Sequence, residues 1–360
     1  MIKFGIQQGL NVARLGFNEE QQMMAVMIAD RFGYDSAWAM DHTNVPQWPK
    51  AIVNDAWIFL AAATQVTKRL ELGTCVTDAV RRHPSTVALQ TITMDRLSNG
   101  RAILGIGAGE AQNINEFGIE WDKPVSRFEE QLQVIRLLLQ SSPENRVSFT
   151  GKFYRLNNAC LQASSIRKPF PPIYIAAGAS RTLSITARYG DGWLPIAYTP
   201  ELYEYHASII RDEAKKVGRD LDGFSFALDI DVYFTDEPEE AWLKLRSAVK
   251  VGLYKPELLK VYNIQQRSDF DFRKYFTEYS MTNPELMQKM REAAQDIPDN
   301  IARSSIGIGN HDDIIPVFER FIKAGVNHFI IRFWGEGYYK YIEQFGRKVI
   351  TYSKANYRNY

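Results

Sequence analysis

Short apolar runs suited to buried strands alternate along the chain with longer stretches whose apolar residues recur at helical spacing. The first run is IKFGIQQ, Ile2 to Gln8; a helical stretch follows, capped by Asn18, with Met24, Ile28 and Phe32 on one stripe and Gly33 at its end. Strand Ser36 to Met40 runs straight into Asp41-His42, Trp57 to Gln65 reads as a helix, and Leu70 to Thr77 reads as a third strand. Helix Pro84 to Leu97 and strand Ala102 to Gly107 give the unit a fourth time. The amphipathic helix Arg127 to Gln140 leads into Val147 to Leu161, a β-hairpin pattern turning at Thr150-Gly151. Later strands begin at Ile173, Gly192, Phe224 and His328, separated by helices such as Glu201 to Val217 and Asp312 to Ala324.

Eight strand-helix units in succession predict an α/β fold, a (β/α)8 TIM barrel, as a single domain over residues 1–360. The stretch 235–305 is too long for one crossover helix. It carries helical runs at Glu239 to Val251 and Pro284 to Ala294 and is expected to cap one barrel end as an insertion between strands seven and eight. A doubly wound sheet with a separate C-terminal domain is the competing architecture, but no Ser/Gly/Pro linker marks a boundary.

Charge and composition narrow the function. Lys plus Arg number 43 against 42 for Asp plus Glu, a net +1, so no bulk field favours nucleic acid or an anionic membrane. With 45% hydrophobic and 12% aromatic residues the chain can fill a large core, and its longest apolar run, Ala56 to Ala63, is too short to span a bilayer. Two cysteines, Cys75 and Cys160, cannot make a disulfide framework or a metal cage, and because the strand pattern starts at the second residue no signal or transit peptide is expected. The expectation is a soluble cytoplasmic protein. His42, His83, His206, His311 and His328 show no metal-binding spacing, so the expected metal content is none.

Barrel enzymes carry their chemistry where strands end. The second strand ends in Asp41-His42 and runs on to Trp48; a histidine there either exchanges a proton near neutrality or caps a helix. The third ends Gly73-Thr74-Cys75-Val76-Thr77, where Cys75, without a neighbouring base, reads as inert packing rather than a nucleophile. Arg81, Arg82 and His83 follow, as an anion site or a solvated loop. The fourth ends LGIGAGEAQN, whose glycines miss the dinucleotide spacing because Glu110 stands at the third position; they signal close backbone approach to another segment or to a flat ligand. Glu110 is then either a ligand contact or a first-turn helix acid. The fifth ends Ala176-Ala177-Gly178-Ala179-Ser180 at a helix start, suited to a phosphate or to tight packing.

Together, Asp41-His42, Gly73-Thr-Cys-Val-Thr77, Gly-Ala-Gly-Glu-Ala-Gln-Asn at 107–113 and Tyr-Ile-Ala-Ala-Gly at 174–178 resemble the bacterial-luciferase-like superfamily, in its branch of coenzyme F420-dependent oxidoreductases. The likeness runs along essentially the whole chain, through Lys123 to Glu130, Gly151 to Leu156, Gly190 to Trp193 and Ala324 to His328, in a pattern similar to F420-dependent glucose-6-phosphate dehydrogenases, secondary alcohol dehydrogenases and phthiodiolone ketoreductases. The resemblance implies a homodimeric barrel enzyme holding F420 at its C-terminal mouth. It implies that Asp41 contacts the deazaflavin, that His42 exchanges a proton with the substrate oxygen and that Glu110 lies near the reacting centre. Cys75 and Val76, followed by Thr77, fall where the family has a bulge with a non-prolyl cis peptide under the ring. Ala108, Gly109, Asn113, Ala177, Gly178 and Ala179 match the family's cofactor-contacting backbone. Trp48 matches the family's tryptophan only across a local insertion. The sugar-phosphate lysine beyond Gly190-Asp-Gly is missing, and Arg303 is the remaining cation for a phosphate. Trp193 and Tyr198, with Phe333 and Trp334, are expected to face a neutral alcohol or ketone. The implied reaction is hydride transfer between the deazaflavin C5 and a secondary alcohol or ketone. The alternatives are an FMN-dependent monooxygenase and a non-catalytic flavin or deazaflavin binder.

Overall fold

Eight parallel strands close on themselves in chain order: β1 (Lys3–Gln8), β2 (Ser36–Ala39), β3 (Glu71–Thr74), β4 (Ala102–Gly107), β5 (Ile173–Ile175), β6 (Gly192–Trp193), β7 (Ser225–Phe234) and β8 (His328–Trp334), with β8 pairing back onto β1. This computed structural model describes residues 1–9, 12, 15–45, 51–265, 283–335 and 337–357. The α/β TIM barrel expected from the eight repeats is the fold observed.

The barrel is plugged rather than hollow. Trp38 of β2 is fully buried inside it with Ile103, Tyr174, Leu194, Ala227 and Ile330. Its indole takes the room left by two glycines: a Cβ on Gly5 would lie 2.8 Å from the Trp38 Nε1, and one on Gly73 would lie 2.4 Å from the ring. Below the indole, at the strand starts, Ser36 Oγ lies 2.8 Å from His328 Nε2 and the Tyr174 hydroxyl 3.4 Å from Nδ1. Burial pulls His328 down to about 3, which keeps this imidazole neutral and structural.

Helices clothe the outside. α1 (Glu19–Arg31) begins in a capping box between Asn18 and Gln21. Its buried face is Gln22, Ala25, Val26 and Ala29, whereas Met24 is 45% exposed. The stripe expected through Met24 is therefore rotated: small side chains at Ala25 and Ala29 let the helix approach the barrel closely. α2 (Ala56–Val66), α3 (Pro84–Ser98), α4 (Pro124–Leu139), α5 (Ser180–Tyr189) and α6 (Pro200–Lys216) follow their strands. The hairpin pairs Val147–Thr150 with Arg155–Ala159, and its turn is held by Glu130, which accepts from the Lys152 and Phe153 amides.

Between β7 and α9 (His311–Lys323) lie α7 (Pro238–Leu253) and α8 (Pro284–Ala294), close to the expected helical runs. A short strand, Gly307–Gly309, pairs with the end of β7 and was not legible in the sequence, where two glycines flank one apolar residue. Lys255 Nζ donates to the carbonyls of Ile196 and Ala197, at 2.7 Å each, and Tyr262 donates to Thr199 Oγ1 at 2.9 Å. These bonds tie the segment after α7 to the loop following β6.

Candidate active site

The ends of β2, β3 and β4 are neighbours, so the residues just beyond them share one side of the mouth. His42 follows β2 with its side chain 15% exposed; Glu110 follows β4 with its side chain 40% exposed. His42 Nε2 is 3.7 Å from Glu110 Oε2. Gln112 joins them, donating from Nε2 to Glu110 Oε2 at 2.9 Å and lying 3.5 Å from His42 Nδ1. Glu110 makes no capping bond to the 3-10 turn Ala111–Asn113, so the helix-acid reading fails and its carboxylate faces the imidazole. Gln112 was missed from the sequence because a carboxamide carries no titration signature.

The segment between β3 and the two-residue strand Thr77–Asp78 contains the cis peptide Cys75-Val76. It explains two of the glycines in β4. A Cβ on Gly105 would lie 1.8 Å from the Thr74 carbonyl oxygen, and one on Gly107 would lie 3.2 Å from Val76 Cγ2. Close approach of another chain segment therefore accounts for both. Gly109 adds a conformational reason: φ is +102°, and a Cβ there would lie 2.7 Å from Ile114 Cδ1; the pair Ala108-Gly109 is half-buried. At the start of α5, Ala177 and Gly178 are half-buried and Ala179 is exposed; a Cβ on Gly178 would meet only the Tyr198 hydroxyl, at 3.3 Å.

The side chains of Asp41, Thr77 and Asn113 are engaged within the protein. Asp41, 2% exposed, accepts from Thr77 Oγ1 at 2.6 Å and from Arg82 Nη1 at 2.7 Å, with Arg81 Nη2 at 3.4 Å. Arg82 also reaches Asp55 at 2.8 Å. The pair Arg81-Arg82 is thus neither an anion site nor a solvated loop; it neutralises a buried carboxylate. Asn113 accepts from the Thr43 amide at 2.9 Å, which fixes the backbone next to His42. His83 caps α3 through the Ser85 amide.

The expected substrate contacts are corrected in the same way. Trp193 is fully buried against Tyr203, with its Nε1 donating to the Ala177 carbonyl at 2.9 Å. Tyr198 is 2% exposed, under the Lys255 ammonium at 4.3 Å, with its hydroxyl 2.9 Å from His206 Nδ1. Both support the start of α5 from behind. Arg303 is taken by Glu239, with contacts of 2.7 and 2.8 Å, so its guanidinium is not free for a phosphate. Phe333 is buried in the outer core. Trp48 lies outside the described residues.

Beneath the mouth, inside the barrel, Gln7, Asp229 and Arg332 form a buried polar group beside Cys75. Burial pushes the Cys75 thiol up, away from a reactive thiolate. Among the described residues no cluster of His, Cys, Asp or Glu could hold a metal ion, and no helix is long and apolar enough to cross a membrane. A cavity of about 440 Å³ opens at the opposite end of the barrel, where Lys3 pairs with Glu71 and Lys354 with Asp35.

A family model described as luciferase-like monooxygenase matches residues 7–328. A phthiodiolone/phenolphthiodiolone dimycocerosates ketoreductase of Mycobacterium tuberculosis is 38% identical over 208 residues, covering 52% of this chain and 54% of that protein. This chain thus spans about half the length of that relative. An F420-dependent glucose-6-phosphate dehydrogenase of Segniliparus rotundus is 27% identical over 95% of this chain and 96% of its own. Among solved structures, an F420-dependent secondary alcohol dehydrogenase in complex with an F420-acetone adduct superposes with a TM-score of 0.79 at 22% identity, over 97% of this chain and 98% of its own, a likeness of fold.

Proposed function

The chain belongs to the luciferase-like monooxygenase family, and from that premise we propose that it is a coenzyme F420-dependent oxidoreductase moving hydride between the deazaflavin C5 and the carbon of a neutral secondary alcohol or ketone. The observation that carries this reading is the group His42, Glu110 and Gln112 beyond neighbouring strand ends, beside the segment with the Cys75-Val76 cis peptide. Relatives named for F420-dependent or ketone-reducing chemistry support it.

The residues present fit such a cofactor. Gln112 Oε1 beside His42 and Gln7 Oε1 just beneath the mouth are buried without partners, and Gly178 leaves the start of α5 without a side chain of its own. When bound, the deazaflavin supplies two-electron chemistry at C5. The chain does the rest. Val76 and Cys75 would back the ring, and Ala177, Gly178 and Ala179 would take its phosphate tail. His42 holds a proton at Nε2 for delivery to the substrate oxygen as a carbonyl is reduced, and removes it in the opposite direction. Glu110, 3.7 Å away, balances the charge on the imidazole, and Gln112 fixes both side chains. A neutral substrate is favoured because Arg303 is already paired. A homodimer is supported by exposed apolar side chains on adjacent outer helices: Met24 and Met27 on α1, Ile58 on α2 and Leu89 on α3.

Separate fluorescence titrations with F420 and FMN, followed by a panel of secondary alcohols and ketones, test the reading. Tight F420 binding with turnover is expected. FMN binding with oxygen consumption would replace it by a monooxygenase, and binding without turnover by a non-catalytic carrier.

A further inference from the structure

The barrel interior just below the mouth is polar where an apolar plug would suffice. Gln7 of β1, Asp229 of β7 and Arg332 of β8 meet there, each at most 5% exposed, beside Cys75 at the end of β3. Gln7 Nε2 donates to Asp229 Oδ2 at 2.7 Å and to Cys75 Sγ at 3.2 Å, and the thiol lies 3.7 Å from the same carboxylate oxygen. On the other side, Arg332 Nε stands 3.2 Å from Asp229 Oδ1, an ion-pair contact without hydrogen-bond alignment. The same guanidinium is 2.9 Å from Asp231 Oδ1, and that carboxylate also takes the Trp334 indole N–H. Asp229 is therefore the joint between the mouth segment and the charged pair behind it.

Burial pushes Asp229 up to about 6; Arg332 opposes the shift, Asp231 adds to it, and the Cys75 and Gln7 hydrogen bonds oppose it. Burial also works against the Arg332 charge, but Asp229 and Asp231 hold the guanidinium above its ordinary value. Arg332, Asp231 and Cys75 are thus the charged and titratable groups facing this carboxylate, with Gln7 as the neutral neighbour.

We propose that Asp229 is a positioning residue for the mouth: its carboxylate accepts from Gln7 and from the Cys75 thiol, fixing the segment Cys75-Val76, and protonation of that carboxylate loosens the hold. A proton from solvent on Asp229 removes its charge, leaves Arg332 to Asp231 alone and turns one acceptor oxygen into a donor. The inference rests on the function proposed above only in assigning Cys75-Val76 to the ring.

Two measurements on the full chain test it. In a Cys160→Ser background, Cys75 labelling by 4,4′-dithiodipyridine, a disulfide that stays reactive in acid, is followed from pH 8 to pH 4.5. F420 affinity is measured over the same range. Labelling should rise through pH 6 relative to Asp229→Asn, and F420 affinity should weaken by up to about tenfold at pH 5 in the wild type beyond any change in that variant. Gln7→Leu, which keeps the carboxylate but removes a bond to its charged form, should move both midpoints upward. Superimposable profiles for wild type and Asp229→Asn would overturn the proposal. If the wild type binds no F420 at any pH, the proposed function falls, and the labelling profile decides the role of Asp229 alone.

Discussion

The proton exchange proposed for His42 rests on an imidazole with a carboxylate 3.7 Å from one nitrogen and a carboxamide 3.5 Å from the other. His42→Ala should lower kcat by about 10²–10⁴ while leaving F420 affinity within about twofold, read by steady-state rates beside a binding titration. Gln112→Ala should cost about tenfold in kcat, since it orients both partners without touching substrate, and should leave stability unchanged. Arg82 plays a different part. Removing it strips a buried carboxylate of its closest cation, so Arg82→Ala should destabilise the fold by about 2 kcal/mol in denaturant unfolding, with Arg81 and Thr77 limiting the loss. His42 and Glu110 stood out in the sequence because they follow barrel strand ends, and the structure brings them within 3.7 Å of each other. Asp229 and Arg332 did not stand out: they lie inside the runs FALDIDVYF and FIIRFW, where a charged residue reads as the solvent face of a strand until closure turns it inward.

At the scale of elements, the glycines in β4 and after β5 separate packing from binding. Gly105 has the Thr74 carbonyl oxygen 1.8 Å from where a Cβ would stand, whereas Gly178 has only the Tyr198 hydroxyl at 3.3 Å. Gly105→Ala should therefore lower Tm by several degrees, an overpacking of about 1–3 kcal/mol. Gly178→Ala should melt close to the wild type, since its methyl group meets only the Tyr198 hydroxyl, yet bind F420 several-fold more weakly, because it stiffens and crowds the turn proposed to take the phosphate tail. Calorimetry and a binding titration on the two variants check the contrast. Three close glycines in sequence announced a tight approach, but only the path of Cys75-Val76 shows that two of them serve the neighbouring strand. Trp193 and Tyr198 misled for a related reason. Aromatic residues beyond a strand end look like substrate contacts, and here they fill the space behind the start of α5.

For the whole molecule, eight repeats of one unit announced the barrel, since each apolar run was bounded by a helix of the right length. The bonds from Lys255 and Tyr262 to the loop after β6 were not foreseeable, because they join side chains more than fifty residues from their acceptors. The buried carboxylate leaves a mark on global stability too. Asp229 binds its proton more tightly folded, at about 6, than at its ordinary 3.8. The folded state therefore carries the extra proton between those values, and this group adds stability as pH falls from 7 through 6 toward 4. Between pH 7 and pH 4.5 the wild type should gain about 2–5 °C in Tm on Asp229→Asn; parallel melting curves would contradict the assignment. The central claim is tested most directly by deuterium transfer. With secondary alcohols of the panel deuterated at the carbinol carbon and oxidised F420, the account predicts label at C5 of the cofactor with wild-type protein for at least one alcohol and almost none with His42→Ala; no label from any of them with wild type, with oxygen consumed when reduced FMN is supplied instead, would contradict it.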